Sequence, residues 1–344
     1  MPGPAKRSPS AAAGGSVAAD LIAVLVAVTG AEPRVMTIRE ASALPSGPFE
    51  LSHRSLQSGL RAWVEQQTAH PLGYVEQLYT FADRDRTGDD PEQRVISISY
   101  LGLTREEQAA GAAEAGWRSW YDYFPWEDLR GGPPPLFDAV LAPRLKAWAE
   151  AAGEPGASRE RWQRAAITFG FDGRGWNEEL VLQRYELLFE AGLVPEAGRD
   201  RPAAKISSGK ISSGKISSAK ISSGKISPSK IQPLPGRAML QDHRRILATG
   251  IARLRAKIKY RPVVFELMPP TFTLLQLQRS VEALAGHLLH KQNFRRLIEQ
   301  QDLVEETGAI SADTGGRPAK LFRFRHAVRA ERAVAGTKLP LSRP

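Results

Sequence analysis

A five-residue unit repeats through KISSG, KISSG, KISSA, KISSG and KISPS from Lys205 to Ser229 and runs on into Lys230 and Ile231. That period matches neither the about 3.6 residues of a helical turn nor the roughly two of a strand, and one apolar side chain per unit builds no core. The segment reads as a flexible basic spacer, so whatever folds must fold on either side of it. With 344 residues, 42% of them hydrophobic and 24% charged, the chain is long enough for two domains. The expected division is a disordered tail over 1–16, a first domain over 17–194, the linker over 195–236, a second domain over 237–328 and a second disordered tail over 329–344.

Charge separates these parts more sharply than composition does. The formal net charge is −7 over residues 1–194, +6 over 195–236 and +11 over 237–344. The last part is therefore the candidate polyanion binder. No cysteine and only six scattered histidines leave neither a disulfide framework nor a thiolate or histidine-rich metal site, which suits a cytoplasmic protein. The apolar run ADLIAVLVAVTG is too short to span a bilayer, and it fits buried strands better than a leader peptide; no membrane partner is expected.

In the first domain, Asp20 to Thr37 reads as paired strands and Ser55 to Gln67 as an amphipathic helix with Leu56, Leu60, Trp63 and Val64 on one face. GYVEQLYTF and RVISISYLGL are strand-like, and helices are expected from Pro135 to Glu150 and through Trp162 to Leu193, closing the domain. Mixed strands between helices give an α/β sandwich.

One stretch in this domain, Gly47 to Ala69, reads GPFELSHRSLQSGLRAWVEQQTA. It resembles the Nudix box, Gly-x5-Glu-x7-Arg-Glu-apolar-x-Glu-Glu-x-Gly-apolar, of enzymes that cleave nucleoside diphosphates. Gly47, Arg61, Trp63 and Glu65 fit the pattern, whereas His53, Ala62, Gln66 and Thr68 stand where Glu, Glu, Glu and Gly are expected. Magnesium is held by oxygen ligands, and Glu65 beside a methyl group and an amide makes a poor multi-metal site. The resemblance thus implies a cleft that recognises a nucleotide without hydrolysing it, with Arg61 and Glu65 as its ligand-binding residues and neither catalytic nor metal-binding residues.

After the spacer, Leu240 to Lys257 has Ile246, Leu247, Ile251 and Leu254 at helical spacing, with basic residues assigned to the other face. Pro262 stops this helix, and VVFEL reads as a short strand. A helix capped by Thr271 or Thr273 carries Leu274, Leu277, Val281 and Leu284 as a core stripe and ends at Gly286; another runs from Lys291 to Gln301. This is helix-turn-helix spacing, which places Lys291, Gln292, Asn293, Arg295 and Arg296 toward DNA and Phe294, Leu297 and Ile298 toward the core. LVEETG and RPAKLFRFR read as the two strands of a wing, with Arg317 and Lys320 at its tip as further DNA contacts.

Taken in order, ALPSGPFE with HRSLQSGLRAWVEQQT, LGYVEQLYTFADRDR, RVISISYLGL, KIKYRPVVFELMPPTFTLLQLQ, KQNFRRLIEQ and GGRPAKLFRF resemble the Nudix-related transcriptional regulators of NAD metabolism, the NrtR-like proteins and their alphaproteobacterial NadQ-like relatives. The resemblance implies an α/β Nudix-like sandwich followed by a C-terminal winged helix-turn-helix domain. It also implies a homodimeric repressor of NAD-biosynthesis or salvage genes that binds double-stranded operator DNA. Its effector would be an adenine nucleotide, ATP, NAD or ADP-ribose, and no resident cofactor is expected. The alternative is an active Nudix pyrophosphohydrolase with an auxiliary nucleic-acid-binding domain. Coupling across a loose spacer would require direct contact between the domains or a shared dimer interface.

Three other groups are weighed against blander readings. Asp83, Asp85, Asp89, Asp90 and Glu92 lack the spacing of an EF-hand and read as a solvated loop. His53 reads as a loop residue. Trp117, Trp120, Tyr121, Tyr123, Phe124 and Trp126 read as core or interface packing, with one ring stacking on adenine as the other possibility.

Overall fold

A long, largely apolar strand sets the architecture. In the computed structural model, which describes residues 16–83, 93–106, 115–198, 234–311 and 318–325, Ser16–Thr29 forms β1 at the centre of a six-stranded mixed sheet. The tails up to residue 15 and beyond 325, the repeat, Asp85, Asp89, Asp90, Glu92 and the wing tip with Arg317 lie outside the described residues. Strand β1 pairs in parallel with β5 (Gln93–Leu103) along one edge and antiparallel with β2 (Glu32–Thr37) and β3 (Ser46–Pro48) along the other. Strands β4 (Tyr74–Phe81) and β6 (Gly116–Ser119) complete the order β4-β5-β1-β2-β6.

Both faces of β1 are buried, which is why its sequence runs apolar instead of alternating. Leu21, Ala23 and Leu25 face α1 (Leu56–Thr68), joining Leu60, Val64, Met36 and Tyr100 in one core. Ser55 caps α1 by accepting from the Ser58 backbone N–H. Ile22, Val24 and Val26 point the other way, into the larger core.

That second face is closed differently from the expectation. Helices α2 (Ala142–Glu150), α3 (Pro155–Phe169) and α4 (Val181–Glu190) form a packed group, with a wide π-type turn, Phe137–Leu141, leading into α2. The helices that lie on the sheet come from beyond the spacer: α5 (His243–Ile258) contacts β1, β4 and β5, and α6 (Leu274–Ala285) contacts β1 and β2. Gly250 permits the α5 approach, because a Cβ there would meet Val24 Cγ1 at 2.9 Å. Residues on both sides of the repeat therefore share one hydrophobic core.

The basic residues of α5 are not all on its solvent face, contrary to the assignment from spacing. Arg244 and Arg255 are fully buried, because they fall on the same stripe as Leu247, Ile251 and Ile258. Arg255 Nη1 donates to Glu127 Oε2 at 2.6 Å, and Arg184 of α4 donates through Nε and Nη2 to the two Glu127 oxygens at 2.5 and 2.9 Å. Arg255 Nε also donates to the carbonyl of Leu284 in α6 at 2.8 Å. Burying three ionised groups is costly, and each is compensated by opposite charge, the two guanidiniums also by carbonyl acceptors.

The C-terminal module follows as α6, a turn, α7 (Lys291–Gln300) and a two-stranded wing of β7 (Val304–Ser311) and β8 (Ala319–Phe324). Thr273 caps α6 in a reciprocal capping box with Gln276, and Gly286 ends it at φ 78°. VVFEL corrects the strand expectation: Val263–Leu267 is a 3-10 turn, held short by Pro262 before it and Pro269-Pro270 after it. Its buried Phe265 stacks on Phe324 at 4.3 Å, and Phe272 supplies the bridge to the wing at Phe322. Glu127→Gln would leave two buried guanidinium groups facing one another; urea unfolding is expected to show a loss of about 3–5 kcal/mol, and a change below about 1 kcal/mol would contradict the role given to this network.

Candidate functional site

The box segment is built as an anchor. Trp63 Nε1 donates to Pro48 O at 2.8 Å, and its ring lies where a Cβ on Gly47 would be, so only glycine fits there. Gln67 pins β3 reciprocally, accepting from Ser46 N at 3.0 Å and donating to Ser46 O at 2.8 Å. Arg61 holds the segment after α1, donating to Leu72 O and, at 3.1 Å, to Gly73 O. His53 is a loop residue whose Nδ1 accepts from the Glu50 backbone N–H at 3.0 Å. Glu65, Ala62 and Gln66 are exposed on α1, so one carboxylate, a methyl group and an amide face solvent at the positions where the Nudix pattern places acids. That donor set does not fit a multi-magnesium centre. Among the described residues no group of three or more His, Cys, Asp or Glu side chains could hold a metal ion.

The aromatic cluster is core: Trp120, Tyr123, Phe124 and Trp126 are completely buried, Tyr121 is nearly so, and Trp117 packs beside the α1 core. Asp83, the described member of the acidic group, pairs with Arg245 at 2.5 Å.

A cavity of about 540 Å³ opens at the ends of β2 and β6, lined by Thr37, Arg39, Glu40, Ala41, Gly116 and Arg118. Neither Arg61 nor Glu65 is on its wall. Sequence reasoning passed over Arg39 and Arg118, since single arginines in a turn and an edge strand carry no recognisable spacing.

The turn beneath this cavity is tied to the segment that enters α5. Tyr123 Oη donates to Ala41 O at 2.7 Å, Leu240 N donates to Ser42 O at 2.8 Å, and Arg237 Nη2 donates to Glu40 O at 3.2 Å. Leu44 N donates to His243 Nδ1 at 3.1 Å, so the imidazole is held neutral with its proton on Nε2. Burial, reinforced by the Arg39 charge, lowers the His243 pKa to about 4.

On α7, burial follows the period of the sequence. Lys291, Gln292, Asn293, Arg295 and Arg296 are all exposed on α7, while Phe294 and Ile298 are buried and Leu297 is half-buried. Lys320 pairs with Glu306 at 2.9 Å and Arg323 with Glu305 at 2.5 Å across the wing, both largely exposed. The helix-turn-helix corner is docked on the aromatic segment: Tyr121 Oη donates to Ala283 O at 2.7 Å and Leu129 N to Gly286 O at 2.7 Å. A Cβ on Gly286 would overlap the Glu127 carbonyl oxygen.

Comparison with known proteins adds to this geometry. Residues 264–324, beginning beyond α5, match the family described as the NrtR DNA-binding winged helix domain. Over 83 residues the chain is 45% identical to the ADPR responsive transcriptional repressor NtrR of Acinetobacter baylyi, a match covering 24% of this chain and 33% of that protein. It thus spans about a third of that relative's length. Among solved structures, Shewanella oneidensis NrtR complexed with a 27mer DNA is similar at 18% identity and a TM-score of 0.48, covering 89% of this chain and 93% of that one. A second structure of Shewanella oneidensis NrtR is similar at 16% identity and a TM-score of 0.49, covering 93% and 98%.

His243 gives the region a pH signature. Its pKa is lower folded than the roughly 6.5 of an unfolded histidine, so the unfolded chain binds the extra proton and stability falls as pH drops from about 6.5 toward about 4. The loss over that window is about 3 kcal/mol. Denaturant titrations across this range should show that His243→Gln removes this component of the slope; an identical pH dependence in the variant would refute it.

Proposed function

From a C-terminal module that belongs to the NrtR winged-helix family, we propose that the chain is a ligand-responsive repressor of NAD-biosynthesis or salvage genes. The observation that carries this reading is the exposed row Lys291, Gln292, Asn293, Arg295 and Arg296 on the second helix of a winged helix-turn-helix. In such a motif the second helix enters the major groove, where Lys and Arg suit guanine and Asn and Gln suit adenine. Lys320 joins from the wing by exchanging Glu306 for a phosphate, and Arg317, three positions earlier in the sequence, is a further expected contact. The protein acts as a homodimer on a two-fold symmetric operator in double-stranded DNA.

In this reading the Nudix-like domain is the sensor, and it does not turn over its ligand. Glu65 is left without neighbouring carboxylates at positions 62 and 66, and His53 is committed to its own loop. The effector is an adenine nucleotide. ADP-ribose is placed first because the Acinetobacter relative is ADPR responsive, with NAD and ATP as the related ligands to compare. Effector binding changes operator affinity only through different contacts in two arrangements of the reader. The seam from Tyr121 to Leu129 supports that coupling, because it touches the reader corner directly.

Two measurements test this proposal. On a duplex selected by the protein from a random pool, Arg295→Ala and Arg296→Ala should each weaken binding by about 1–3 kcal/mol if they read bases, or flatten the salt dependence by about one unit of slope if they hold phosphate. ADP-ribose at about 100 times its Kd should stabilise the protein by about 2.7 kcal/mol. Unchanged DNA affinity in both variants would sink the reader assignment, and magnesium-dependent hydrolysis of ADP-ribose abolished by Glu65→Gln would favour the hydrolase instead.

A further inference from the structure

The cavity at the ends of β2 and β6 combines features that one nucleotide could use. Two of its wall residues, Arg39 and Arg118, are exposed, and among the described residues no carboxylate lies within ion-pair distance of either guanidinium. The volume of about 540 Å³ is within the range of small-ligand pockets. Glu40, on the same wall, is an acceptor suited to sugar hydroxyls. We propose that this cavity is the phosphate-binding part of the effector site, with Arg39 and Arg118 gripping a diphosphate.

Backbone conformation points the same way. Arg39, Glu40 and Ala41 are three consecutive non-glycine residues with φ of 52°, 56° and 66°, a left-handed run that L-residues rarely sustain. Such strain persists only where the surroundings hold it, and it concentrates at ligand clamps and switch segments. Here it is held by the Ile38–Ala43 bridge, by Tyr123 on the Ala41 carbonyl, and by Arg237 and Leu240 from the segment that enters α5. The turn that presents Arg39 to the cavity is thus the turn on which the post-repeat chain is seated. A ligand drawn to Arg39 pulls on a residue two positions from Ala41 and three from Ser42, both bonded to the rest of the fold.

Arg39 and Arg118 on one cavity suit a ligand with two negative charges better than a single carboxylate. Arginine's planar fork binds phosphate oxygens in pairs, and two guanidiniums on one wall match the two charges of a diphosphate. The Arg61 guanidinium is already taken up by the carbonyls of Leu72 and Gly73, which leaves the grip to Arg39 and Arg118.

This inference rests on the sensing role proposed above, and the experiment separates the two. Calorimetric titration of the full chain with ADP-ribose and, separately, inorganic pyrophosphate is compared for the wild type, Arg39→Asn, Arg118→Gln and the double variant. Asparagine is chosen at 39 because it tolerates positive φ. Each substitution should weaken ADP-ribose by on the order of tenfold, the worth of a charge-assisted contact, with the unliganded melting temperature unchanged. If Arg39→Asn fails to fold, Arg118→Gln alone decides. Wild-type binding of ADP-ribose that both variants retain in full would overturn the cavity assignment while leaving the sensor intact. Pyrophosphate binding that both variants lose, without any nucleotide binding, would uphold the anion site and remove the sensing of ADP-ribose. Binding of neither probe would overturn both.

Discussion

The carboxylate of Glu127 organises the molecule. It is fully buried; Arg184, from the helical layer before the repeat, donates to both of its oxygens, and Arg255, from the helix after it, shares one of them. Buried ion pairs contribute little net stability compared with well-packed apolar groups, but they enforce one geometry, since any displacement strands a charge away from water. Further guanidinium N–H groups donate to the carbonyls of Thr168, Asn177, Glu178, Leu284 and Glu127 itself, while Trp176 stacks on Arg184 at 3.7 Å. The Leu284 bond extends the network into α6, the first helix of the winged-helix module. A third buried arginine, Arg244, pairs with Glu196 at 3.2 Å and has the rings of Phe124, Trp126 and Tyr185 around it.

This arrangement changes what the pentapeptide repeat has to do. A spacer of that composition transmits little torque, and the chain does not rely on it, because residues before and after it share a core and bonded contacts. Under the proposed function, coupling between a ligand and DNA would run through packed surfaces: the strained turn at 39–41, the entry to α5, the Glu127 network and the Gly286 corner. Such close-packed junctions favour discrete alternatives over gradual deformation, which is what a switch needs.

Much of the local structure was legible in the sequence, and the reasons are physical. The ADLIAVLVAV run fits a buried strand better than a leader peptide, Thr273 is one of two candidate caps that the sequence offers for α6, and Gly286 takes the left-handed conformation that ends that helix. The split of α7 into a polar face and a Phe294–Ile298 face follows from period alone. Periodicity marks which side of a helix is buried but not against what, so it missed that α5 and α6 lie on the sheet and that Arg244 and Arg255 belong to the apolar stripe. VVFEL is strand-like by composition and was overruled by the prolines around it. The cavity was invisible because Arg39 and Arg118, separated along the chain, meet only through the pairing of β2 with β6.

The claim that both sides of the repeat are one cooperative unit has a direct measurement. All seven tryptophans precede the repeat and the chain has no cysteine, so native fluorescence reports the front and a dye on Gln300→Cys reports the reader without competing labels. Followed through denaturant, the two signals should trace a single coincident transition with one midpoint and one slope. A dye signal that melts earlier, while the tryptophans remain native, would mean that the Glu127 network does not bind the halves together and would contradict the account.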